Sequence, residues 1–307
     1  MRPRCKNKLF YESLIVVQCI IFGLSFIALQ ELIESGYPIF AIVSLRFFIG
    51  AISLLSFCAV SFKSSIFSIK RTKDSTITGI ISGTVMFLAF SLQTFGAKYT
   101  TPANNALCTG LYVIFVPLLG IVHFRRKNAF YFAAALVSFL GVALVSGFSL
   151  KNYSMQTINV GDVLSILCGL FFAIHFIVLE KYTAQGNLPY FTIIQLFTVA
   201  TISFLVSLFT EKNSFASVQW GISFGWIVFL GVLSTAVTYM IQSIVQSRIS
   251  AEIVSVISCS ESLFAVIFSL VLGYSIITIE LMAGAALILI TMVAVALYSS
   301  RQSLTPK

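Results

Sequence analysis

Ten stretches of mostly apolar residues, each about as long as a bilayer is thick, follow one another along this chain with only short polar punctuation between them. They fall at roughly 11–33, 38–60, 76–97, 102–124, 129–148, 161–181, 189–209, 223–246, 251–273 and 279–299. In lipid every backbone N–H and C=O must be satisfied within the chain, so runs of this kind span as helices. The fold class is therefore all-α integral membrane, with ten transmembrane helices. Only 9% of the residues are charged, against about a quarter in a soluble domain. Thr101-Pro102 and Asn187-Leu188-Pro189 read as helix starts, where the missing proline N–H costs nothing.

The basic residues orient the spans. Arg2, Arg4, Lys6 and Lys8, then Lys63 to Lys73, Arg125 to Lys127, Lys181, Arg248, and finally Arg301 and Lys307 occupy alternate loops and the tails. The opposite loops hold only Lys98, Lys151 and Lys212. By the positive-inside rule both termini are expected in the cytoplasm. The net charge of +9 is thereby explained without nucleic acid, for which no basic stripe or recognition motif exists. MRPRCKNK followed by an apolar run imitates a secretory signal, but nine more such runs follow, so it reads as the first span. Six scattered cysteines show no zinc, haem or redox spacing and read as small core residues.

The chain repeats itself. Phe22-Gly-Leu-Ser-Phe-Ile-Ala-Leu29 precedes Phe172-Ala-Ile-His-Phe-Ile-Val-Leu179 by 150 residues, and Pro38 to Leu45 aligns with Pro189 to Leu196 at 151. Gln93 and Gln242 correspond at 149. Two units follow, 9–148 and 161–299, each with five spans. An odd number of spans makes the second unit enter the membrane from the opposite side. The expected architecture is two inverted five-helix repeats, which place substrate sites near the midplane between them.

Several motifs then resemble one family. Phe22-Gly23-Leu24-Ser25-Phe26, Pro38…Leu45-Arg46-Phe47, Ala97-Lys98-Tyr99-Thr100-Thr101, Gly161-Asp162 and Ser260-Glu261-Ser262-Leu263-Phe264-Ala265 are similar, in order and spacing, to EamA-type units of the drug/metabolite transporter superfamily. The resemblance covers the whole chain. It implies a carrier of small metabolites, amino acids, nucleobase-like compounds or drugs, commonly outward. Ser262 stands where the family usually has proline, which puts a kink in the ninth span in question.

Depth selects the candidate substrate-binding residues. Glu261 lies ten residues into its span, about 15 Å deep in a core about 30 Å thick. Its repeat mate Tyr112 is equally deep. A charge there costs about 2.5–3.5 kcal/mol on insertion scales, so the carboxyl faces a polar cavity, meets a cation or is protonated. The plain alternative is a neutral acid bonded across helices for packing. Arg46, about 12 Å deep, either holds a substrate carboxylate or pairs with Glu31 to lock the first two helices. His175, aligned with Ser25, is a proton-sensing candidate or a packing histidine. Gln93, Gln242, Asn105, Thr109 and Tyr239 add neutral polarity that lines a cavity or bonds across helices. Glu180 and Lys181 read as a solvated pair at the boundary, His123 as interfacial, and Glu252 as a helix-start acid. Gly79 and Gly83, and the Ala133/Ala135 and Ala283/Ala285 pairs, read as close-packing sites.

These features predict a secondary transporter of a small organic metabolite working by alternating access, in a bacterial cytoplasmic (inner) membrane. Its partners are a small-molecule substrate, membrane lipid and, if Glu261 alternates between proton and substrate, protons. No cofactor and no metal site are expected. The competing reading is a membrane-embedded enzyme acting on a lipid-linked substrate, which needs paired acids or histidine clusters that the sequence does not display. A channel lacks a filter-like glycine loop, and nucleotide-driven transport lacks a phosphate-binding loop. Substrate identity, direction of flux and oligomeric state are not encoded in any motif.

Overall fold

A computed structural model describes residues 8–62, 69–100, 105, 108–124, 129–145, 160–183, 187–211, 221–271 and 279–304. The described residues form helices and the turns between them: α1 (Lys8–Glu34), α2 (Ile39–Phe62), α3 (Ile69–Tyr99), α4 (Tyr112–Phe124), α5 (Ala129–Val145), α6 (Val160–Tyr182) and α7 (Leu188–Thr210). α8 runs Ile222–Gly231, continues through a π-helical stretch Val232–Val237, and ends as Thr238–Gln246. α9 comes in two pieces, Ala251–Ser258 and Ser260–Val271, and α10 is Ile279–Leu304. Six of the spans are long and apolar enough to cross a bilayer outright, and Tyr112–Val122, Ala129–Gly141 and Met282–Val295 are shorter apolar helices. This is a multi-pass membrane protein.

The fold class follows the sequence, with local differences. α3 begins at Ile69, and α10 reaches Leu304, beyond the apolar cores that locate them. α8, which the apolar run presents as a single span, and α9, whose kink the sequence leaves in question, are both interrupted. In α4 the regular helix starts only at Tyr112, after a turn at Gly110-Leu111.

The inverted repeat is visible in how equivalent helices meet. α2 and α7 are mates and lie against each other. Phe40 N meets the Glu211 carboxylate, Ser44 Oγ meets Ala200 O, and Phe48 meets the Phe197 ring. As α2 advances, its partners on α7 recede, so the mates run antiparallel. Packing obeys the same pseudo-twofold throughout: α1 on α9 matches α6 on α4, α3 on α7 matches α8 on α2, and α5 meets its own mate α10. The extensive helix contacts therefore cross between repeats.

Close backbone approach holds these crossings, because lipid supplies no hydrophobic drive and contact must come from packing. A Cβ at Gly23 would sit 2.6 Å from Phe264 Cβ and 2.7 Å from Ala265 N, so α1 lies directly on the α9 backbone. A Cβ at Gly83 would lie 2.6 Å from Thr198 Cβ, joining α3 to α7. The cores beneath are apolar clusters, one around Tyr112, Val254 and Ile257, another around Phe47, Phe90 and Tyr239.

Candidate functional site

The two broken helices place the site. In α9, Cys259 N bonds Val256 O and Ser262 N bonds Cys259 O, both at 3.3 Å, so the chain tightens to a three-residue step around Cys259. In the mate, Leu111 N bonds Cys108 O at 3.3 Å and Val113 N bonds Gly110 O at 3.1 Å. Gly110 and Cys259 are 149 residues apart, so the interruptions are equivalent. A tightened turn leaves carbonyls without helical partners, and the neighbouring helix covers them. Cys19 Sγ of α1 lies 3.7 Å from Ile257 O and 3.8 Å from Ser258 O. Its mate Gly169 of α6 brings bare backbone against Cys108 O and Thr109 O. Helix nine is thus broken at Cys259 with serine, and no proline, at position 262.

Two residues past each break stand Tyr112 and Glu261, and Tyr112 Oη donates to Glu261 Oε1 at 3.1 Å. Both line a central cavity of about 50 Å³, room for a few waters. Most of its wall consists of repeat mates: Phe22 with Phe172, Phe26 with Phe176, Phe90 with Tyr239, Gln93 with Gln242, Thr109 with Ser258, and Tyr112 with Glu261. The cavity therefore straddles the pseudo-twofold axis. The remaining wall residues, Gln18, Ser25, Leu29 and Arg46, all come from the first repeat, so the cavity leans toward α1 and α2.

Arg46 is 3% exposed and does not pair with Glu31 as the short connection suggests. Its Nε donates to Thr235 Oγ1 at 3.1 Å, and Nη2 to Ser234 O and Oγ at 3.3 and 3.2 Å. The guanidinium carbon lies 4.7 Å from the centre of the Phe90 ring, a cation–π contact. The π-helical turn makes this possible. Thr238 N reaches back five residues to Leu233 O, past Ser234 O, and that carbonyl takes Arg46 Nη2 and the Thr238 hydroxyl instead. The depths explain the failure of the ion pair: Arg46 lies about 12 Å along α2, whereas Glu31 is only one turn from the end of α1.

Other candidates divide by position. Gln242 accepts from Gln18 at 3.3 Å and donates to Gln246 at 3.2 Å, which in turn bonds Phe176 O at 2.9 Å. Asn105 stands behind the wall, donating to Gln93 O at 3.0 Å. His175 is fully buried outside the cavity, with Nε2 3.4 Å from Gln195 Oε1, which also accepts from Ser82. Glu31 does not line it either. Glu180 is not half of a solvated pair: it is 3% exposed, and its Oε2 accepts from Ala251 N at 2.7 Å, holding the start of α9. Lys181 alone is exposed, over the Tyr182 ring. Glu252 lies in the first turn of α9, as its position implies, but buried beside Gly120. The His123 side chain lies outside the described set. Sequence reasoning missed Gln18 and Ser258; a lone glutamine in an apolar helix was the signal, but its mate is Cys168, so the repeat did not flag it.

Comparison with known proteins recovers the same two units. Residues 9–147 and 159–297 each match the EamA-like transporter family. An uncharacterized transporter of Archaeoglobus fulgidus is 28% identical over 300 residues, covering 95% of this chain and 87% of that one. An uncharacterized transporter of Bacillus subtilis is 24% identical over 178 residues, 55% of this chain and 57% of its own. A crystal structure shares the fold with a TM-score of 0.72 at 17% identity, covering 94% of this chain and 98% of that one.

Proposed function

We propose that this chain, which belongs to the EamA-like transporter family, is a secondary carrier that moves a small organic metabolite through its central cavity by alternating access. In this reading it sits in a cytoplasmic membrane with both termini inside, which the distribution of basic residues among the loops supports. The observation that carries the reading is the Tyr112–Glu261 hydrogen bond, formed between repeat mates at two equivalent helix breaks in the wall of one cavity. Broken helices at the midplane between inverted repeats are how carriers offer polar groups to a solute inside lipid.

The cavity holds a few waters, so a metabolite enters only as the walls part. Antiparallel repeats supply the motion: whatever arrangement one unit adopts toward one face, its mate can adopt toward the other. Glu261 also supplies the site for a coupling proton. A carboxyl that binds either a proton or the solute, never both, exchanges one for the other by linkage through a single site. Full-length protein in liposomes, offered a panel of labelled metabolites with and without a proton gradient, tests this. Saturable flux that a proton gradient accelerates is expected; no flux of any solute under either condition overturns it.

A further inference from the structure

A row of three glutamines crosses the cytoplasmic side of the cavity. Gln18 Nε2 of α1 donates to Gln242 Oε1 of α8 at 3.3 Å, and Gln242 Nε2 donates to Gln246 Oε1 at 3.2 Å. Gln246 Nε2 then donates to Phe176 O of α6 at 2.9 Å. The carbonyl at the far end can only accept, so it sets the direction of every amide in the row. All three side chains are buried. The row ties α1 to α6, repeat mates that both line the cavity. Two further bonds cross on the same side. Glu180 Oε2 takes Ala251 N at 2.7 Å between α6 and α9, and Thr192 Oγ1 donates to Ser243 Oγ at 2.8 Å between α7 and α8.

The repeat offers each of these bonds a second time, at the outer face, and there the residues do not form them. The mates of Gln18, Gln242, Gln246 and Phe176 are Cys168, Gln93, Ala97 and Phe26. Ala97 has no polar side chain, Cys168 is taken by Thr109 Oγ1, and the Gln93 amide has no partner among the described residues. Glu180 and Ala251 become Gln30 and Pro102; proline has no N–H, and Gln30 Nε2 turns to Glu34 Oε1 of its own helix at 2.6 Å. Thr192 and Ser243 become Ala41 and Thr94, whose hydroxyl bonds Phe90 O of its own helix. Among the outer bonds, Glu211 to the start of α2 and Thr100 to Asp162 join helices that are packed extensively in any case, and Ser35 meets Ser223 only at 3.5 Å. A recess of about 590 Å³ also opens between the outer ends of α1, α2, α3 and α7. Phe40 is half-buried on its wall, whereas its mate Phe191 is fully buried on the inner side.

We infer that the carrier rests facing outward, bolted on the cytoplasmic side by Gln18, Gln242 and Gln246, and that parting this row is the step that admits the cytoplasm to the cavity. This rests on the carrier reading and the orientation given above. Gln246 is a positioning residue: it lies outside the cavity wall and holds the inner side shut without touching the solute. A hydrogen bond between membrane helices is worth a factor of about three on average. Removing Gln246, which makes two, therefore shifts the balance between the two faces about tenfold.

The test reads which face opens, independently of flux. Leu29 lines the cavity on α1, and its mate Leu179 on α6 is fully buried. Full-length protein carrying Leu29→Cys or Leu179→Cys is placed in right-side-out and inside-out membrane vesicles and treated with a membrane-impermeant maleimide. Labelling at each position is followed by mass spectrometry, with Tyr99→Cys on the exposed outer rim as the reagent control. Leu29→Cys is expected to label from outside faster than Leu179→Cys labels from inside. Gln246→Leu should slow the first and speed the second, narrowing their ratio about tenfold, and Gln18→Leu, which removes one bond, about threefold. Misfolding raises both rates together, so movement in opposite directions is the signature; should Gln246→Leu misfold, Gln18→Leu decides. Equal rates in the protein with the row intact, or a ratio that Gln18→Leu leaves unmoved, overturn the inference and leave the carrier reading to its flux assay. Labelling of Tyr99→Cys alone, with neither reporter reached from either side, shows that no face opens and overturns both.

Discussion

The crossing of α2 with α8 and the crossing of α7 with α3 are the same place seen twice, and they have been built differently. In the first, Arg46 reaches Ser234 and Thr235 on a π-helical turn. In the second, Gln195 takes Ser82 on a regular α3 and His175 on α6, and Phe197 stands where the arginine would be. Both crossings bring backbone into contact, through Gly231 against Ile49 and Gly83 against Thr198. The packing is shared while the chemistry is not. The frame is symmetric, and at this crossing the cation stands on one side only.

The largest effect expected from disturbing this frame is at a shared feature. Gly23→Leu forces a side chain into space occupied by the α9 backbone, and overpacking of this kind costs about 1–3 kcal/mol or more. Loss of the monodisperse peak in detergent checks it, and a folded variant with unchanged flux would break the account of the α1–α9 contact. Next comes the asymmetric feature: Arg46→Gln should lower flux about tenfold or more, whereas Phe197→Gln at the mate should change it less than about twofold. Equal effects would mean that the two crossings do the same job.

Glu261→Gln comes third. The variant should fold, and its flux should no longer change with pH, since a carboxamide does not titrate. Wild type is expected to lose flux at the acid end, where the proton outcompetes the solute for the Glu261 carboxyl. An unaltered pH profile in the variant would remove Glu261 from the coupling. Tyr112→Phe deletes one hydrogen bond, worth about 1 kcal/mol, or roughly fivefold in flux; a silent variant would make the bond at the breaks a bystander. The smallest effect is at Glu211, whose carboxylate accepts from Phe40 N, Ala41 N and Ser207 Oγ and so caps α2 from the end of α7. Glu211→Gln should cost about 1 kcal/mol of stability, a shift in Tm of a few degrees.

Much of this was legible in residue order. Span lengths, the repeat and the common depth of Tyr112 and Glu261 all follow from counting along the chain, because helix rise turns residue number into depth. The break at Cys259 did not, since it contains neither proline nor glycine; it is stabilised by α1, whose Cys19 covers the exposed carbonyls from more than two hundred residues away. The partner of Arg46 was misjudged for a similar reason: proximity along the chain favoured Glu31, but the acceptors exist only because one turn of α8 is wound wide. Glu180 looked like a boundary residue by position, and becomes an interior cap once α9 begins beside it.

That wide turn has a mechanical consequence. A π-helical stretch carries one more residue than an α-helix needs to cover the same path, so everything beyond Val237 is phased against everything before it. Tyr239 and Gln242 face the cavity because of that phase. Winding those same residues as a regular α-helix would swing both side chains by about 100° about its axis, turning an aqueous face into a greasy one, whereas deleting one residue within Val232–Val237 would leave them facing as they do. The turn acts as a vernier, setting which stripe of α8 looks inward.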